Sequence, residues 1–182
     1  MTYRLLLRNI TAIALVVAIV AFIGMRLIEP SFDIHHEPYQ KAFILKVEFA
    51  ETEAIVVDMF RTVSCEGKRA MGFHTGLDYL FMVTIFGYLA LIHIYTTQQH
   101  PQRWIQYLGT TMAIAAIIAM LCDAFENYCL INWLLDSEWK GPFAAYYWLV
   151  RLKWFIALIA AITSSTLWVG NYVKYKRFSH LP

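Results

Sequence analysis

Apolar positions fall in four long blocks along the chain. The first extends from about Leu5 to Leu27 and carries no charge between Ile10 and Met25. The second extends from about His74 to Tyr95 and is uncharged from Tyr79 to Ile92. The third begins near Trp104, stays uncharged through Cys122, then takes Asp123 and Glu126 and continues apolar to Leu135. The fourth is uncharged from Trp154 to Val173, after an aromatic lead-in that starts near Phe143. A helix crossing the hydrocarbon core of a bilayer needs about 20 such residues. The pattern therefore predicts four transmembrane helices, at about 5–27, 74–95, 104–135 and 143–173. The third is longer than a bilayer requires and is expected to project. The first is expected to be a retained span, because the stretch Arg26-Leu-Ile-Glu-Pro30 offers none of the small residues of a signal cleavage site.

A second periodicity occupies the loop between the first two blocks. From Lys41 to about Val63 there is no Gly or Pro. Lys41, Glu48, Glu51, Asp58 and Thr62 recur at helical spacing, and so do Phe43, Val47, Ala50, Ala54 and Val57. Two opposed faces at that spacing predict one amphipathic helix over about 41–63, lying on the membrane or capping the bundle. The stretch Cys65–Gly72, with Gly67, Gly72 and the pair Lys68–Arg69, breaks it before the second span. The fold class that follows is all-α and integral to a membrane: four transmembrane helices with one extracytoplasmic amphipathic helix, in one domain over 1–182.

Composition agrees. The 182 residues are 59% hydrophobic and only 15% charged, against about half and about a quarter in an average soluble domain. Disordered, collagenous and coiled-coil chains are excluded by the same numbers. The net charge of +2 comes without a basic stripe, so no nucleic-acid partner is expected. Cys65, Cys122 and Cys129 have no zinc spacing, and the sequence leaves open whether Cys65 pairs with Cys129. Arg4, Arg8, Arg103, Lys174, Lys176 and Arg177 all flank one side of a four-span bundle. The positive-inside rule then puts both termini in the cytoplasm, in an arrangement expected of a bacterial inner membrane.

Charge inside a bilayer costs at least about 2.5–3.5 kcal/mol at a helix centre, so such residues need a partner or a wet cavity. Asp78, Asp123, Glu126, Arg151 and Lys153 interrupt otherwise apolar helices at similar outer depth. His74 and Asp78 are four apart and share a face, as do Asp123, Glu126 and Asn127. These positions predict a buried polar cluster of Asp78, Asp123, Glu126, Asn127 and Arg151, with Glu48 reaching down from the outer helix. His74, Lys153 and Arg26 are secondary members. An excess of acids suits a site that holds a proton, a cation or a cationic headgroup. The same residues also suit a structural ion network or a place at the interface.

Other polar residues suggest less. His35 and His36, with Asp33 and Glu37, sit adjacent in a loop and would point opposite ways, so no metal site is expected. His93 reads as a helix–helix hydrogen bond, since no second His at matching depth would complete a haem. Thr163, Ser164, Ser165 and Thr166 fit a close helix contact. Glu51 and Glu53 fit a solvated face, and Trp104, Trp133, Trp139, Tyr146, Tyr147, Trp148, Tyr172 and Tyr175 fit interfacial belts. No phosphate loop, nucleophile elbow or metalloprotease motif occurs, and no cofactor is expected.

The segments Val47-Glu48-Phe49-Ala50, Leu77-Asp78-Tyr79-Leu80-Phe81 and Asp123-Ala124-Phe125-Glu126-Asn127 resemble a pattern in small, uncharacterised four-helix bacterial membrane proteins. There an acidic outer segment precedes a DxxF span and a DxxEN span. The resemblance covers roughly residues 40 to 135 and implies that Glu48, Asp78, Asp123, Glu126 and Asn127 belong together. It carries no activity, and Arg151 lies outside it.

Three functions fit these features. The first is a non-enzymatic membrane protein that binds lipid or serves as an accessory or assembly subunit, with membrane lipids and other subunits as partners. The second is a small transporter or cation-conducting homo-oligomer. The third is a membrane enzyme acting on an outer-leaflet lipid, with Asp123 or Glu126 as general base and Arg151 holding a phosphate. With no nucleophile, metal set or cofactor motif in view, the first is the working expectation.

Overall fold

The computed structural model describes residues 3–34, 42–98, 100–136 and 141–179, with side chains as far as 167. His35, His36, Glu37 and Trp139 lie outside the described residues, and the side chains of Tyr172, Tyr175, Lys174, Lys176 and Arg177 lie outside the described side chains.

Six α-helices account for the described chain: α1 Tyr3–Ile28, α2 Phe43–Glu48, α3 Glu53–Arg61, α4 Cys65–Thr97, α5 Arg103–Leu134 and α6 Phe143–Ser179. Four of them, α1, α4, α5 and α6, are long and apolar enough to cross a membrane. The fold is therefore all-α, with four helices of membrane-spanning length and short extra helices gathered at one end. We call α2 and α3 the cap.

Helix α4 is the hub. It packs along α1 on one side and along α5 on another, and α6 closes against α5 and α4. Small residues on α1, Ala18 and Ala21, are buried against this hub, while Ile13, Val16, Val20 and Ile23 are exposed. In a bilayer the apolar surface left open meets lipid, so close packing rather than water exclusion holds such helices together.

The entry into α4 is tightly built. A 3₁₀ turn over Glu29–Phe32 follows α1 and buries Phe32. Ile34 then pairs with Val63 in an isolated antiparallel bridge, and the Ser64 amide donates to Asp33 O at 3.2 Å. Ser64 caps α4 by accepting the Gly67 amide at 3.0 Å. Gly67 is required there, because a Cβ would overlap the carbonyl of Phe32.

The single amphipathic helix expected over 41–63 is two helices instead. Helix α2 ends at Glu48, and Thr52 starts α3 by accepting the Ile55 amide at 3.4 Å. The capping tendency of Thr52, followed by Glu53 in the first turn, outweighs the absence of Gly and Pro. The break also resets the buried register. Phe43, Val47 and Ala50 face inward as expected, but beyond the break Val56, Met59 and Phe60 are buried and Ala54 is exposed.

Two apolar cores result. One lies at the cap end and joins Phe32, Phe43, Val47, Val56, Met59 and Phe60 to Met71, Cys129, Trp133, Tyr146 and Val150. The other lies between the spans and joins Met82, Phe86 and Leu89 to Met112, Ala116, Ala119 and Ala160. Trp133 and Tyr146 thus belong to the core and not to an interfacial belt, because the cap covers that end of α5 and α6. Tyr146 is fully buried, and its hydroxyl donates to Val47 O at 3.0 Å.

Candidate functional site

Between the two cores lies a layer of buried charge. On α6, Tyr146, Val150, Lys153, Ala157, Ala160 and Ser164 recur every three or four residues and form the inward stripe. Lys153 is the one charged side chain on that stripe. Asp123, Glu126 and Asn127 lie on the inward face of α5, all buried. Counted from the helix ends at the cap, these residues and Asp78 lie about 10–20 Å inward at 1.5 Å per residue, so three helices deliver them to one layer.

Lys153 is the centre. Its Nζ donates to Asp123 Oδ1 at 2.8 Å and lies 2.5 Å from Glu126 Oε2. Glu48 Oε1, brought by α2, is 3.8 Å away. The side chains of Lys153, Asp123, Glu126 and Glu48 are 7%, 7%, 1% and 11% exposed, so water screens none of them well. The Lys153 contact with Glu126 Oε2 lies outside hydrogen-bonding geometry. That oxygen is buried with a charge beside it and without a hydrogen bond among the described residues. Asn127 Nδ2 donates to Asp78 Oδ2 at 2.7 Å, which ties α5 to α4 next to the cluster. Trp154 Nε1 donates to the second oxygen of Glu48, Oε2, at 2.8 Å.

Glu48, Asp78, Asp123, Glu126 and Asn127 are therefore brought together as the sequence predicts. Arg151 is not among them. Two residues along a helix turn the side chain by about 200°, so with Lys153 facing inward Arg151 faces away. Its guanidinium lies 3.3 Å from the centre of the Tyr147 ring and 5.9 Å from that of Phe49, and it donates to Tyr147 O at 3.0 Å. Lys153, expected only as a secondary member, is the cation of the site. The signal was present in the spacing of Tyr146, Val150, Lys153, Ala157 and Ala160.

The remaining secondary candidates lie elsewhere. His74 is buried edge-on against the Phe32 ring, 5.3 Å between centres. Arg26 pairs with Glu29 at 2.6 Å on the surface. Cys65 is exposed while Cys122 and Cys129 are buried, and all three are free thiols. Glu53 is not wholly solvated, since Trp133 Nε1 donates to it at 3.5 Å.

A separate polar contact lies in the opposite half. His93 is fully buried; its Nδ1–H donates to Leu89 O at 2.7 Å, and its Nε2 meets Thr163 Oγ1 at 2.8 Å. The expected helix–helix hydrogen bond is this one, between α4 and α6. Ser164 is buried, whereas Ser165 and Thr166 face out.

Among the described residues no three His, Cys, Asp or Glu side chains are grouped to hold a metal ion. Compared with protein-family models, curated proteins and solved structures, the chain matches none.

Proposed function

We propose that this chain is a non-enzymatic integral membrane protein whose working centre is the Lys153 cluster, a site that exchanges a proton and adjusts the seating of the cap. The observation that carries this is the charge balance. Three buried carboxylates, with Asp78 beside them, surround one ammonium. Uncompensated charge in a low-dielectric interior is strongly unfavourable, so such a group is completed by a proton or a cation. The acids outnumber the one ammonium, and Lys153 already occupies the middle of them, which favours a proton over a metal cation.

Glu48 gives the centre a lever. It belongs to the cap, whereas Asp123 and Glu126 belong to a spanning helix. Lys153 is closer to the two α5 acids than to Glu48. A proton on Glu126 removes its pull, shifts the ammonium towards Glu48, and draws α2 more firmly onto α6. Asp123, Glu126 and Glu48 all lie within 3.8 Å of the Lys153 ammonium, which supports a role in holding charge over one as a general base.

The exposed apolar residues of α1 and α6 support lipid contact along both helices. Arg4, Arg8 and Arg103 at the end opposite the cap support a cytoplasmic placement of that end, with the cap outside a bacterial inner membrane.

Hydrogen–deuterium exchange over Phe43–Glu48 in the detergent-solubilised protein tests the reading. Exchange is expected to slow as pH falls in the native chain, and Glu126→Gln is expected to hold the slow state at every pH. Pulse-labelling times scaled for intrinsic exchange keep the comparison fair. An identical pH response in Glu126→Gln, or none in the native chain, overturns it.

A further inference from the structure

The Lys153 cluster is bounded differently at its two ends. Glu48 is the most exposed of the three carboxylates around Lys153, and Glu126 is the least. Glu48 is the last residue of α2, and the chain comes to the surface directly after it, at Phe49 and again over Glu51–Glu53. Trp154, whose Nε1 donates to Glu48 Oε2, packs beside the ring of Phe49 at 6.3 Å between centres, and both residues are exposed. On the cap side, Glu48 is thus the member of the cluster next to the surface.

Towards the opposite end an apolar layer follows. Met82, Phe86 and Leu89 of α4 pack there against Met112, Ala116 and Ala119 of α5 and Ala160 of α6, all buried. From Asp78, the next Asp, Glu, His, Lys or Arg along α4 is His93, about 22 Å away. From Asp123, the next in that direction along α5 is Arg103, about 30 Å away. From Lys153, none follows along α6 as far as Leu167. Proton relays through membranes are chains of acids and histidines, and among the described residues this layer holds neither. The other titratable groups beside the cluster are the Cys122 and Cys129 thiols and the Tyr79 and Tyr146 hydroxyls, which are neutral near pH 7. His74 faces the Phe32 ring, and Arg151 stays charged. The carboxylates are therefore the groups that exchange the proton.

We infer, building on the proton-exchange reading, that the Lys153 cluster exchanges its proton on the cap side alone, with Glu48 as the point of entry, and conducts none across the membrane. Glu48 takes a proton from water at the cap. Lys153 Nζ lies 3.8 Å from Glu48 and closer still to Glu126, so it hands one proton to Glu126 as it takes up the one on Glu48. The ammonium ends charged as it began, and one proton has moved inward. Release runs the same steps backwards. The seating of the cap then follows the pH on its own side and is indifferent to the pH on the other.

Infrared spectroscopy of the full-length protein in vesicles of ether-linked phosphatidylcholine tests it, because those lipids bring no carbonyl of their own. A membrane-impermeant maleimide on Cys65, exposed at the cap end of α4 while Cys122 and Cys129 are buried, counts the chains whose cap faces outward. The protonated-carboxyl band is followed as the outer pH is stepped down against a buffered lumen, and then the reverse. The share of the band that follows the outer pH is expected to equal the labelled share of chains, with the rest following the lumen. Pyranine trapped in the lumen is expected to report acidification no faster than in protein-free vesicles. Glu48→Gln is expected to slow the band's response. A band that follows the side opposite the cap, or both sides in every chain, overturns the one-sided inference and leaves the proton-exchange reading standing. So does lumen acidification that Glu126→Gln abolishes, or a response in Glu48→Gln as fast as in the native chain. A band that follows neither pH overturns the proton-exchange reading and the inference with it.

Discussion

Trp154 Nε1 donates to Glu48 Oε2 at 2.8 Å across 106 residues of sequence, while its neighbour Lys153 lies 3.8 Å from the other oxygen of the same carboxylate. One short stretch of α6 thus engages both oxygens of the cap's Glu48. Trp154→Phe keeps the aromatic bulk and removes the donor. We expect faster amide exchange over Phe43–Glu48 and a loss of up to about 1.5–3 kcal/mol, the range of a hydrogen bond to a charged group. Exchange unchanged from the native chain would show that Glu48 does not anchor the cap.

Lys153→Met leaves Asp123, Glu126 and Glu48 buried without their cation. Breaking a buried pair in this way costs about 3–5 kcal/mol, read as a large drop in the melting temperature in detergent. Adding Glu126→Gln to Lys153→Met should recover part of that loss. Arg151→Met should cost far less, because Arg151 lies over the Tyr147 ring at the surface, where such contacts contribute about 0.5–1 kcal/mol. Equal effects of the two single substitutions would contradict the assignment of Lys153 as the central cation.

Tyr146→Phe removes the hydroxyl that reaches Val47 O at 3.0 Å. The carbonyl keeps the Ala50 amide, at 3.2 Å, so it is not left bare. The loss should be about 0.5–1.5 kcal/mol, the net worth of an ordinary hydrogen bond, and it should appear as earlier melting of the cap with the spans unaffected. Circular dichroism combined with exchange measurements separates the two.

Gly109 sits where α5 crosses α4, and a Cβ there would overlap Oγ1, Cβ and Cγ2 of Thr97. Thr97 is buried, and its hydroxyl is bonded to His93 O at 2.7 Å, so it has little room to move. Gly109→Ala should therefore destabilise by about 1–3 kcal/mol through overpacking. Thr97→Ala removes two of the three offending atoms and should restore much of it in the double variant, a coupling that thermal unfolding of the four proteins would measure.

The spans were legible because a bilayer imposes length and apolarity directly on the sequence. The acids were legible for the same reason: Asp78, Asp123 and Glu126 stand out where charge is costly. Which cation faces them was harder to see. Arg151 and Lys153 are two residues apart, both flank aromatics, and only the stripe Tyr146–Val150–Lys153–Ala157–Ala160 tells inward from outward. The cap misled for a different reason. Its apolar periodicity is continuous, but Thr52 competes locally as a helix start and shifts the register by its own hydrogen bond. Trp133 and Tyr146 carry the chemistry of interfacial residues; the cap that buries them is tertiary structure and leaves no mark near them in sequence.

Infrared spectroscopy of the protonated-carboxyl stretch tests the central claim most directly. With a proton held among Glu48, Asp123 and Glu126, the native protein should show a buried carboxylic-acid band that shifts slowly into deuterium oxide and disappears in Glu126→Gln. A native spectrum with ionised carboxylates alone, unchanged in kind by Glu126→Gln, would contradict it.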